Sequence, residues 1–432
     1  MFNGPALRPL RHRDFSLLFF AGMVSNIGTW METVAVGALV VDATGKATWA
    51  ALAAVAAFLP IGVLSPVGGA LADRLPRRPS LLTGYLAATA LAGCLTALSA
   101  TGNATPGAVV LVMFGAGSVL ALAFPFQQAI LPELVPREEL LAAVSLGSAQ
   151  YNFGRVIGPA LAAIVIALGS FTWAFAINTV SFLAVVLALG LMRLDSRPVK
   201  SAERLSAAIR DGARVARSVP GCRVATGFIA LAALLVSPFI ALVPAMADLL
   251  TDGGAADLAR ATGTLVTAQG VGAVLGALAL APVAERIGRR RTQILALVGT
   301  PLAILAYVAS PSLLVAAATI FVVGAFYIGI LSGLATVVQL HAPDAFRGRV
   351  VSLFFVALGV VYPLGSILQG TVADAIGLRL TEALGAAAML AVLAMVALRN
   401  PAVFSALDDP LPAPEPVVTP GDAPPLLPAP AP

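Results

Sequence analysis

Charged side chains are scarce in this chain: Asp, Glu, Lys and Arg make up 11% of its 432 residues, against roughly a quarter in soluble domains. Cysteine and histidine are nearly absent, with two of each. This excludes a disulfide framework and a histidine-based metal or catalytic site. The sequence also lacks a glycine-rich phosphate loop followed by Lys-Ser or Lys-Thr, which argues against ATP hydrolysis. It therefore predicts neither an enzyme nor a cofactor.

Long apolar runs take the place of the missing charge. Hydrophobic residues make up 59% of the chain, and its mean hydropathy is +0.95. A helix needs about 20 mostly apolar residues to cross a bilayer and satisfies its backbone polar groups internally, whereas a membrane strand covers only about 10 residues. The sequence predicts an all-α membrane protein. Its twelve transmembrane helices are expected at residues 15–41, 48–72, 79–101, 107–130, 141–168, 171–192, 223–249, 262–284, 292–309, 312–338, 350–374 and 380–398.

Two short basic loops share one pattern of a small residue, an acid and several arginines. They occupy residues 69–78 and 281–290, about half the chain apart, and each separates two apolar runs. Repetition at this spacing is typical of transporters built from internal repeats. The pattern predicts two pseudo-symmetric six-helix bundles. The expected regions are a first bundle at 1–192, a cytoplasmic linker with a basic interfacial helix at 193–222, a second bundle at 223–399 and a disordered Pro/Ala-rich cytoplasmic tail at 400–432.

The basic residues lie almost entirely on one side of the predicted bundles. Of the 26 Lys and Arg residues, only Lys46, Arg260 and Arg379 fall in loops on the other side, and only Arg155 falls inside a helix. Lys and Arg accumulate in the cytoplasmic loops of membrane proteins, so both termini are predicted to face the cytoplasm. Topology thereby explains the net charge of +5, and nucleic-acid binding is excluded.

The first basic loop and the twelve apolar segments resemble the major facilitator superfamily over residues 8–399. The signature of that superfamily between its second and third helices has the form Gly-x-x-x-Asp-Arg-x-Gly-Arg-Arg, and Pro76 here replaces the glycine that precedes the last two arginines. The second loop resembles a weaker copy. The positions that match the two copies are Gly69, Asp73, Arg74, Arg77 and Arg78 in the first, and Glu285, Arg286, Arg289 and Arg290 in the second.

Other stretches narrow the resemblance to one branch. Residues 131–139 and 152–159 are similar to bacterial exporters of enterobactin-type siderophores and of drugs. Within the second stretch, Gly154, Gly158 and Pro159 resemble the fifth-helix motif that is associated with antiporters. The resemblance implies an exporter in the bacterial cytoplasmic membrane.

The two basic loops are predicted to act as conformational latches between the bundles. The carboxyl ends of helices carry partial negative charge, which the loop arginines can engage across the bundle interface. Asp73 can cap a helix or pair with an arginine. Breaking such contacts lets the bundles rock apart. The alternative is that the loops only anchor the cytoplasmic side.

Glu32 and Arg155 are the predicted proton-coupling residues. Arg155 falls near the middle of the fifth segment, where an arginine is costly unless it faces a cavity or finds a partner. Glu32, inside the first segment, is the predicted partner. Burial favours a neutral carboxyl group and a nearby arginine favours the carboxylate, so a changing environment suits proton transfer. A structural role for either residue stays open.

Polar residues inside other segments are candidates for substrate contact. Asn26, Trp30, Asn152 and Gln269 are predicted to face the cavity, with hydrogen bonding between helices as the alternative. Glycines four residues apart predict close helix packing instead. These pairs are Gly154 with Gly158 and Gly272 with Gly276.

The sequence thus predicts a secondary transporter that works by alternating access around a central cavity. The expected substrate is a small amphiphilic molecule, such as a siderophore, drug or metabolite, exported in exchange for protons. A facilitator or importer with the same fold is the first alternative, and a receptor or assembly factor without transport activity is the second. We expect a monomer in the lipid bilayer.

Overall fold

A computed structural model describes residues 5–193, 214–343 and 346–408 as an assembly of long helices. Twelve stretches are long and apolar enough to cross a membrane, which confirms the twelve predicted segments. The seventh consists of two helices, so the labels α1 to α12 follow the order of the spans. They are α1 (Arg13–Thr44), α2 (Ala47–Ala72), α3 (Arg77–Ala100), α4 (Pro106–Leu134), α5 (Leu140–Leu168), α6 (Phe171–Leu191), α7a (Pro220–Leu235), α7b (Phe239–Asp248), α8 (Ala255–Ile287), α9 (Arg289–Val308), α10 (Leu313–His341), α11 (Arg347–Ile376) and α12 (Leu378–Arg399), followed by the short α13 (Ala402–Ser405).

Helix boundaries follow local sequence signals. Thr105 caps α4 because its side chain accepts a hydrogen bond from the Ala108 N–H at 3.4 Å. Pro106 occupies the first turn, where a helix does not use the missing N–H. A single glycine, Gly288, separates α8 from α9 with a φ of +87°. Only glycine adopts this conformation without strain.

The helices pack as two bundles of six, as predicted. In the first bundle α2 packs on α4, α3 packs on α4 and α6, and α1 packs on α5 and α6. In the second, α10 packs on α8 and α9, α7a packs on α10 and α11, and α12 packs on α9 and α11. The bundles are joined mainly through α5 with α8 and through α2 with α11. The pseudo-symmetry of the two basic loops therefore reflects a repeated helical unit.

The bundles meet closely at the end of the molecule away from the termini. There Gly370 of α11 lies against α2, and Gly263 of α8 lies against Pro159 of α5. Towards the other end, all the substantial packing contacts of α4 within the described residues are with helices of the first bundle, and those of α10 are with helices of the second. The structure is therefore closed on one side and open on the side of both termini.

The glycine pairs bring helices into close contact, which confirms their predicted role. Gly154 and Gly158 of α5 lie against α1, and Gly272 and Gly276 of α8 lie against the backbone of α10. A Cβ atom at Gly158 would stand 2.8 Å from the backbone oxygen of Ile27. Such contacts need a residue without a side chain, because a backbone atom cannot rotate away.

The ends of two predicted regions differ from the structure. α7a begins at Pro220, ahead of the predicted start at 223, and residues 194–213, most of the predicted linker with its basic interfacial helix, lie outside the described residues. The predicted disordered tail from 400 onward is wrong for its first part. Phe404 stacks on Phe228 of α7a with ring centroids 5.7 Å apart, and Leu407 is fully buried. Burial of these apolar side chains holds the segment on the second bundle; residues 409–432 lie outside the described residues.

Candidate functional site

Glu32 lies inside the first bundle, where α1 packs against α6. Its side chain is 6% exposed, and its Oε2 accepts a hydrogen bond from Asn178 Nδ2 at 2.8 Å. Ser181 Oγ donates to Asn178 Oδ1 at 3.0 Å and holds that amide in place. The close approach depends on Gly28, because a Cβ atom there would meet both Asn178 and Ser181. These two α6 residues were not predicted from the sequence, although an amide inside an apolar segment is a usable signal.

Arg155 lies where α5 meets α8, at the interface between the bundles. Its Nη2 donates to the side-chain oxygen of Gln269 at 2.9 Å. Its guanidinium carbon lies 5.7 Å from the centroid of the Trp30 ring, within the range of a cation–π interaction. The arginine thus touches α1, α5 and α8, and it is the basic side chain that the sequence placed within a span.

The predicted ion pair between Glu32 and Arg155 is wrong. Glu32 is bound by Asn178 of α6, and Arg155 is bound by Gln269 of α8. The physical reason is helical geometry: Trp30, which contacts Arg155, and Glu32 are two residues apart and point about 200° away from each other around α1. The face of α1 that carries Glu32 therefore points into the first bundle, and the face that carries Trp30 points to the interface between the bundles.

Aromatic residues surround the arginine. The rings of Trp30 and Tyr151 lie 5.8 Å apart with an angle of 68° between their planes. Arg155 is also close enough to Tyr327 of α10 to interact with it electrostatically. We call Trp30, Tyr151, Arg155 and Gln269 the interface site. Tyr151 was missed by sequence analysis, although it stands one turn before Arg155 on α5.

The remaining candidates for substrate contact lie beside the interface site or turn away from it. Asn26 packs against Gly154 where α1 crosses α5. Asn152 donates its side-chain amide to the backbone oxygen of Ser148 in its own helix at 2.9 Å. Of the four predicted residues, Trp30 and Gln269 are therefore the two that come together with Arg155.

The seventh span is broken between α7a and α7b, and polar side chains of the second bundle bind at this break. Tyr327 donates its hydroxyl hydrogen to Ser237, at the break between α7a and α7b, with a distance of 2.8 Å. Gln369 Nε2 of α11 donates to the carbonyl oxygens of Leu234 and Leu235 at 3.0 and 2.9 Å. These bonds satisfy carbonyl groups that the end of α7a leaves without a helical partner.

A second buried carboxylate lies in α12, far along the chain from Glu32. Glu382 is 2% exposed and lies beside Tyr307 of α9, with which it interacts electrostatically. Neither of its carboxylate oxygens has a hydrogen-bond partner within the described ranges. Glu382 was not predicted from the sequence because it stands near the start of the predicted twelfth segment.

Arg77 and Arg78 of the first basic loop bind helices of their own bundle. Arg77 donates to the backbone oxygen of Ala129 at 2.9 Å and pairs with Glu133, both in α4. Arg78 donates to two carbonyl oxygens at the end of α6, at 2.7 and 2.8 Å. As predicted, these arginines bind helix ends and an acidic side chain. The prediction that they do so across the bundle interface is wrong for Arg77 and Arg78, because their partners lie in the first bundle. The reason is that α3 begins at Arg77, so its first turn faces the ends of α4 and α6.

The other positions of the first loop lie on the open side of the molecule. Asp73 ends α2 and is exposed, and Arg74 beside it is exposed as well. Gly69 has open space where a side chain would stand, whereas its neighbour Gly68 packs against the backbone of α4. The acid of the signature is thus exposed on this side, while Arg77 and Arg78 hold helices of the first bundle together.

The second loop differs from the first in backbone and in partners. Its Glu285 and Arg286 are exposed, and Arg289 is partly buried. Arg290 lies 3.8 Å from Asp408, at the end of the segment that follows α12. Gly288 has a φ of +87°, whereas Pro76 at the corresponding position has a φ of −64°. Proline cannot reach the glycine conformation, so the two loops are not interchangeable.

Comparison with known proteins places this geometry among transporters. Residues 4–420 match the family described as transmembrane secretion effector. The multidrug efflux pump Tap of Mycolicibacterium fortuitum is 30% identical over 378 residues, which cover 84% of this chain and 90% of the pump. The staphyloferrin A transporter of Staphylococcus aureus is 24% identical over 83% of this chain and 89% of its own length.

Solved structures share the fold at low sequence identity. A bacterial homologue of the human lysosomal transporter Spinster, in an inward-facing and unoccupied conformation, has a TM-score of 0.68 and 15% identity, covering 93% of this chain and 99% of its own. A bacterial homologue of the iron transporter ferroportin, also inward-facing, has a TM-score of 0.65 and 18% identity, covering 91% of this chain and 98% of its own.

Proposed function

Since the chain belongs to the transmembrane secretion effector family of the major facilitator superfamily, we propose that it exports a small amphiphilic molecule of the drug or siderophore class. It is a multi-pass membrane transporter and not an enzyme. The observation that carries the proposal is the interface site, which combines one cation with aromatic surfaces between the two bundles. Such a site suits a ligand that has an apolar body and a polar group.

The proposed transport cycle is alternating access in the bacterial plasma membrane. Both termini are assigned to the cytoplasm by the distribution of Lys and Arg, so the open side faces the cytoplasm and the closed side faces outward. Substrate enters from the open side, reaches the interface site and leaves after the bundles rock. A monomer contains both bundles and the whole interface site, which supports the monomer as the transport unit.

Protons are the proposed coupling ion, and Glu32 is their proposed carrier. Its carboxyl group is buried and is held by an amide rather than by an arginine. Among the described residues, no basic side chain pairs with it to force the ionised form, and the group can gain and lose a proton as access changes. Arg155 is proposed to contact the substrate at the interface site, beside Trp30 of α1. It is not a direct partner of Glu32.

Transport and its direction are tested in two steps. A deletion strain is first screened for sensitivity to toxic compounds and for siderophore secretion. The purified full-length chain is then placed in vesicles that contain a pH indicator, and each identified compound is added. Compound-dependent proton flux supports a coupled transporter, whereas binding without flux supports a receptor. Movement of the compound towards the cytoplasmic side supports an importer.

Asp73→Asn is expected to slow transport and to leave expression unchanged. Asp73 is exposed at the end of α2 on the open side, whereas α2 contacts α11 of the other bundle nearer the closed side, so we expect the charge of Asp73 to meet the other bundle when the open side closes. The initial rate of export in vesicles measures the effect. Glu285→Gln at the corresponding position of the second loop serves as comparison and is expected to slow export less. Equal kinetics of Asp73→Asn and the unmodified chain contradict the latch.

Asp374→Ala is expected to favour opening of the closed side. Asp374 of α11 accepts hydrogen bonds from the N–H of Ala47 at 2.7 Å, and from the N–H and hydroxyl of Thr48 at 3.3 and 2.5 Å. It thus caps α2 from the other bundle. Loss of such a cap costs about 0.5–2 kcal/mol, which shifts the ratio of closed to open molecules by up to about thirtyfold.

The shift is measured as the distance between spin labels at Asn103 and Ser312, in loops of the two bundles on the closed side. Both native cysteines, Cys94 and Cys222, are first replaced by alanine. Asp257→Ala is the matched control, because Asp257 pairs with Arg260 in its own helix at 3.0 Å. Identical distance distributions for Asp374→Ala and the control rule out the cap as a closing contact.

A further inference from the structure

The positive charge of Arg155 has no carboxylate partner among the residues that the structure describes. Of the two buried carboxylates in the described spans, Glu32 is held by Asn178 and Glu382 lies beside Tyr307 of α9. Within the described residues, the side-chain acceptor that binds the guanidinium is the neutral oxygen of Gln269. A charge at this depth of a membrane protein is costly without an opposite charge. The interface site is therefore electrostatically incomplete.

Hydrogen-bond donors at the interface site are unsatisfied as well. Arg155 Nε and Gln269 Nε2 are both buried and have no acceptor within the described ranges. The orientation of the amide is determined by its neighbour: a guanidinium offers only donors, so Gln269 must present its oxygen to Arg155 and its NH₂ group elsewhere. Gln269 is 4% exposed, so bulk solvent does little to satisfy this NH₂ group. Two donors thus lack the acceptor that buried donors require.

The two unsatisfied donors belong to different bundles. Arg155 is on α5 and Gln269 is on α8, and these helices form one of the two main contacts between the bundles. A group with two acceptor oxygens can take one hydrogen bond from each. Aromatic surface lies next to the guanidinium, with Trp30 at 5.7 Å from its carbon and Tyr151 against Trp30. The ligand that completes the site therefore has an anionic head and an apolar or aromatic body.

We propose that Arg155 and Gln269 bind the carboxylate group of an amphiphilic substrate and that this group bridges the two bundles. The proposal rests on the proposed function, because it assumes that the interface site lies on the transport route. The carboxylate accepts from Arg155 Nε and Gln269 Nε2, while the apolar body lies along Trp30 and Tyr151. Arg155 keeps part of its surface exposed, so a ligand that enters from the open side can reach it.

The test compares naphthalene-2-carboxylate with its uncharged amide, which has the same apolar body. The full-length chain, with Trp49 and Trp173 replaced by phenylalanine, is placed in lipid vesicles that contain no other protein. Because the chain has three tryptophans, this leaves Trp30 as the sole reporter, and quenching of its fluorescence measures affinity. The carboxylate is expected to bind at least about tenfold more tightly than the amide, because a hydrogen bond to a charged group contributes more binding free energy than a hydrogen bond to a neutral group.

Substitutions separate recognition of the carboxylate from general packing. Gln269→Glu supplies Arg155 with an internal carboxylate and is expected to weaken binding of the naphthalene carboxylate at least about tenfold while leaving the amide unchanged. Arg155→Gln is expected to remove the difference between the two probes. Gln128→Glu adds the same charge at an exposed position of α4 and is expected to change neither affinity.

Equal affinity of the two probes for the unmodified chain, or no binding of the carboxylate, overturns the proposal. So does a loss of carboxylate binding in Gln269→Glu that is matched in Gln128→Glu. These results leave the proposed export intact, because binding is measured without transport. Failure of export itself appears separately, as the absence of compound-dependent proton flux in vesicles.

Discussion

Glu32→Gln is expected to lower pH-driven export to the level that is measured without a pH gradient. The glutamine oxygen can still accept the hydrogen bond that Asn178 donates at 2.8 Å, so the contact between α1 and α6 is preserved. Glutamine cannot gain or lose a proton, however, and the proposed exchange of protons for substrate then stops. Exchange of labelled for unlabelled substrate in the absence of a gradient is expected to continue, because it requires only movement of the bundles.

The matched control for Glu32→Gln is Glu382→Gln, which removes the other buried carboxylate of the described spans. Glu382 lies in α12 beside Tyr307, outside the interface site, and its replacement is expected to leave pH-driven export unchanged. Both variants are compared at equal amounts of protein in vesicles. Full pH-driven export by Glu32→Gln excludes Glu32 as the proton carrier. Loss of gradient-free exchange in the same variant indicates a structural role instead.

Gly158→Leu is expected to prevent accumulation of folded protein. An added Cβ atom at Gly158 would stand 2.5 Å from the Cβ atom of Trp30 and 2.8 Å from the backbone oxygen of Ile27. Neither atom can rotate away, so α1 and α5 must separate. Overpacking of this kind costs typically 1–3 kcal/mol, and more where backbone is displaced. The displaced residue, Trp30, is also the one that contacts Arg155.

Gly147→Leu provides the control for this substitution. Gly147 is on the same helix, but the space where its side chain would stand is empty within 4 Å. The amount of monodisperse protein in detergent and its thermal unfolding temperature measure the effect. The leucine at 147 is expected to leave both near those of the unmodified chain. Similar losses for the two variants contradict the contact between α1 and α5 as the cause.

Helices and their order could be predicted closely from the sequence. The second segment was predicted at 48–72 and forms Ala47–Ala72, and the sixth was predicted at 171–192 and forms Phe171–Leu191. The reason is that a bilayer imposes one length and one composition on every span. The tail was less predictable, because Phe404 and Leu407 stand among prolines and their burial depends on a surface formed by distant residues.

The candidate site could be predicted only in part. The buried carboxylate and the arginine within a span are visible in the sequence because such residues are expensive in a membrane. Their partners are not visible. Asn178 and Gln269 are 146 and 114 residues away from Glu32 and Arg155 along the chain, and neither spacing nor composition connects them.

The sequence by itself determined that the chain forms twelve apolar helices in two related halves, because hydropathy and the repeated basic loops are properties of local residues. Only the tertiary structure decided which polar groups meet. Glu32 and Trp30 are neighbours on α1, yet rotation around the helix axis sends one to Asn178 in the bundle interior and the other to Arg155 at the bundle interface. Partners of this kind depend on how whole helices are rotated and packed, which is a property of the assembled bundles and not of any single segment.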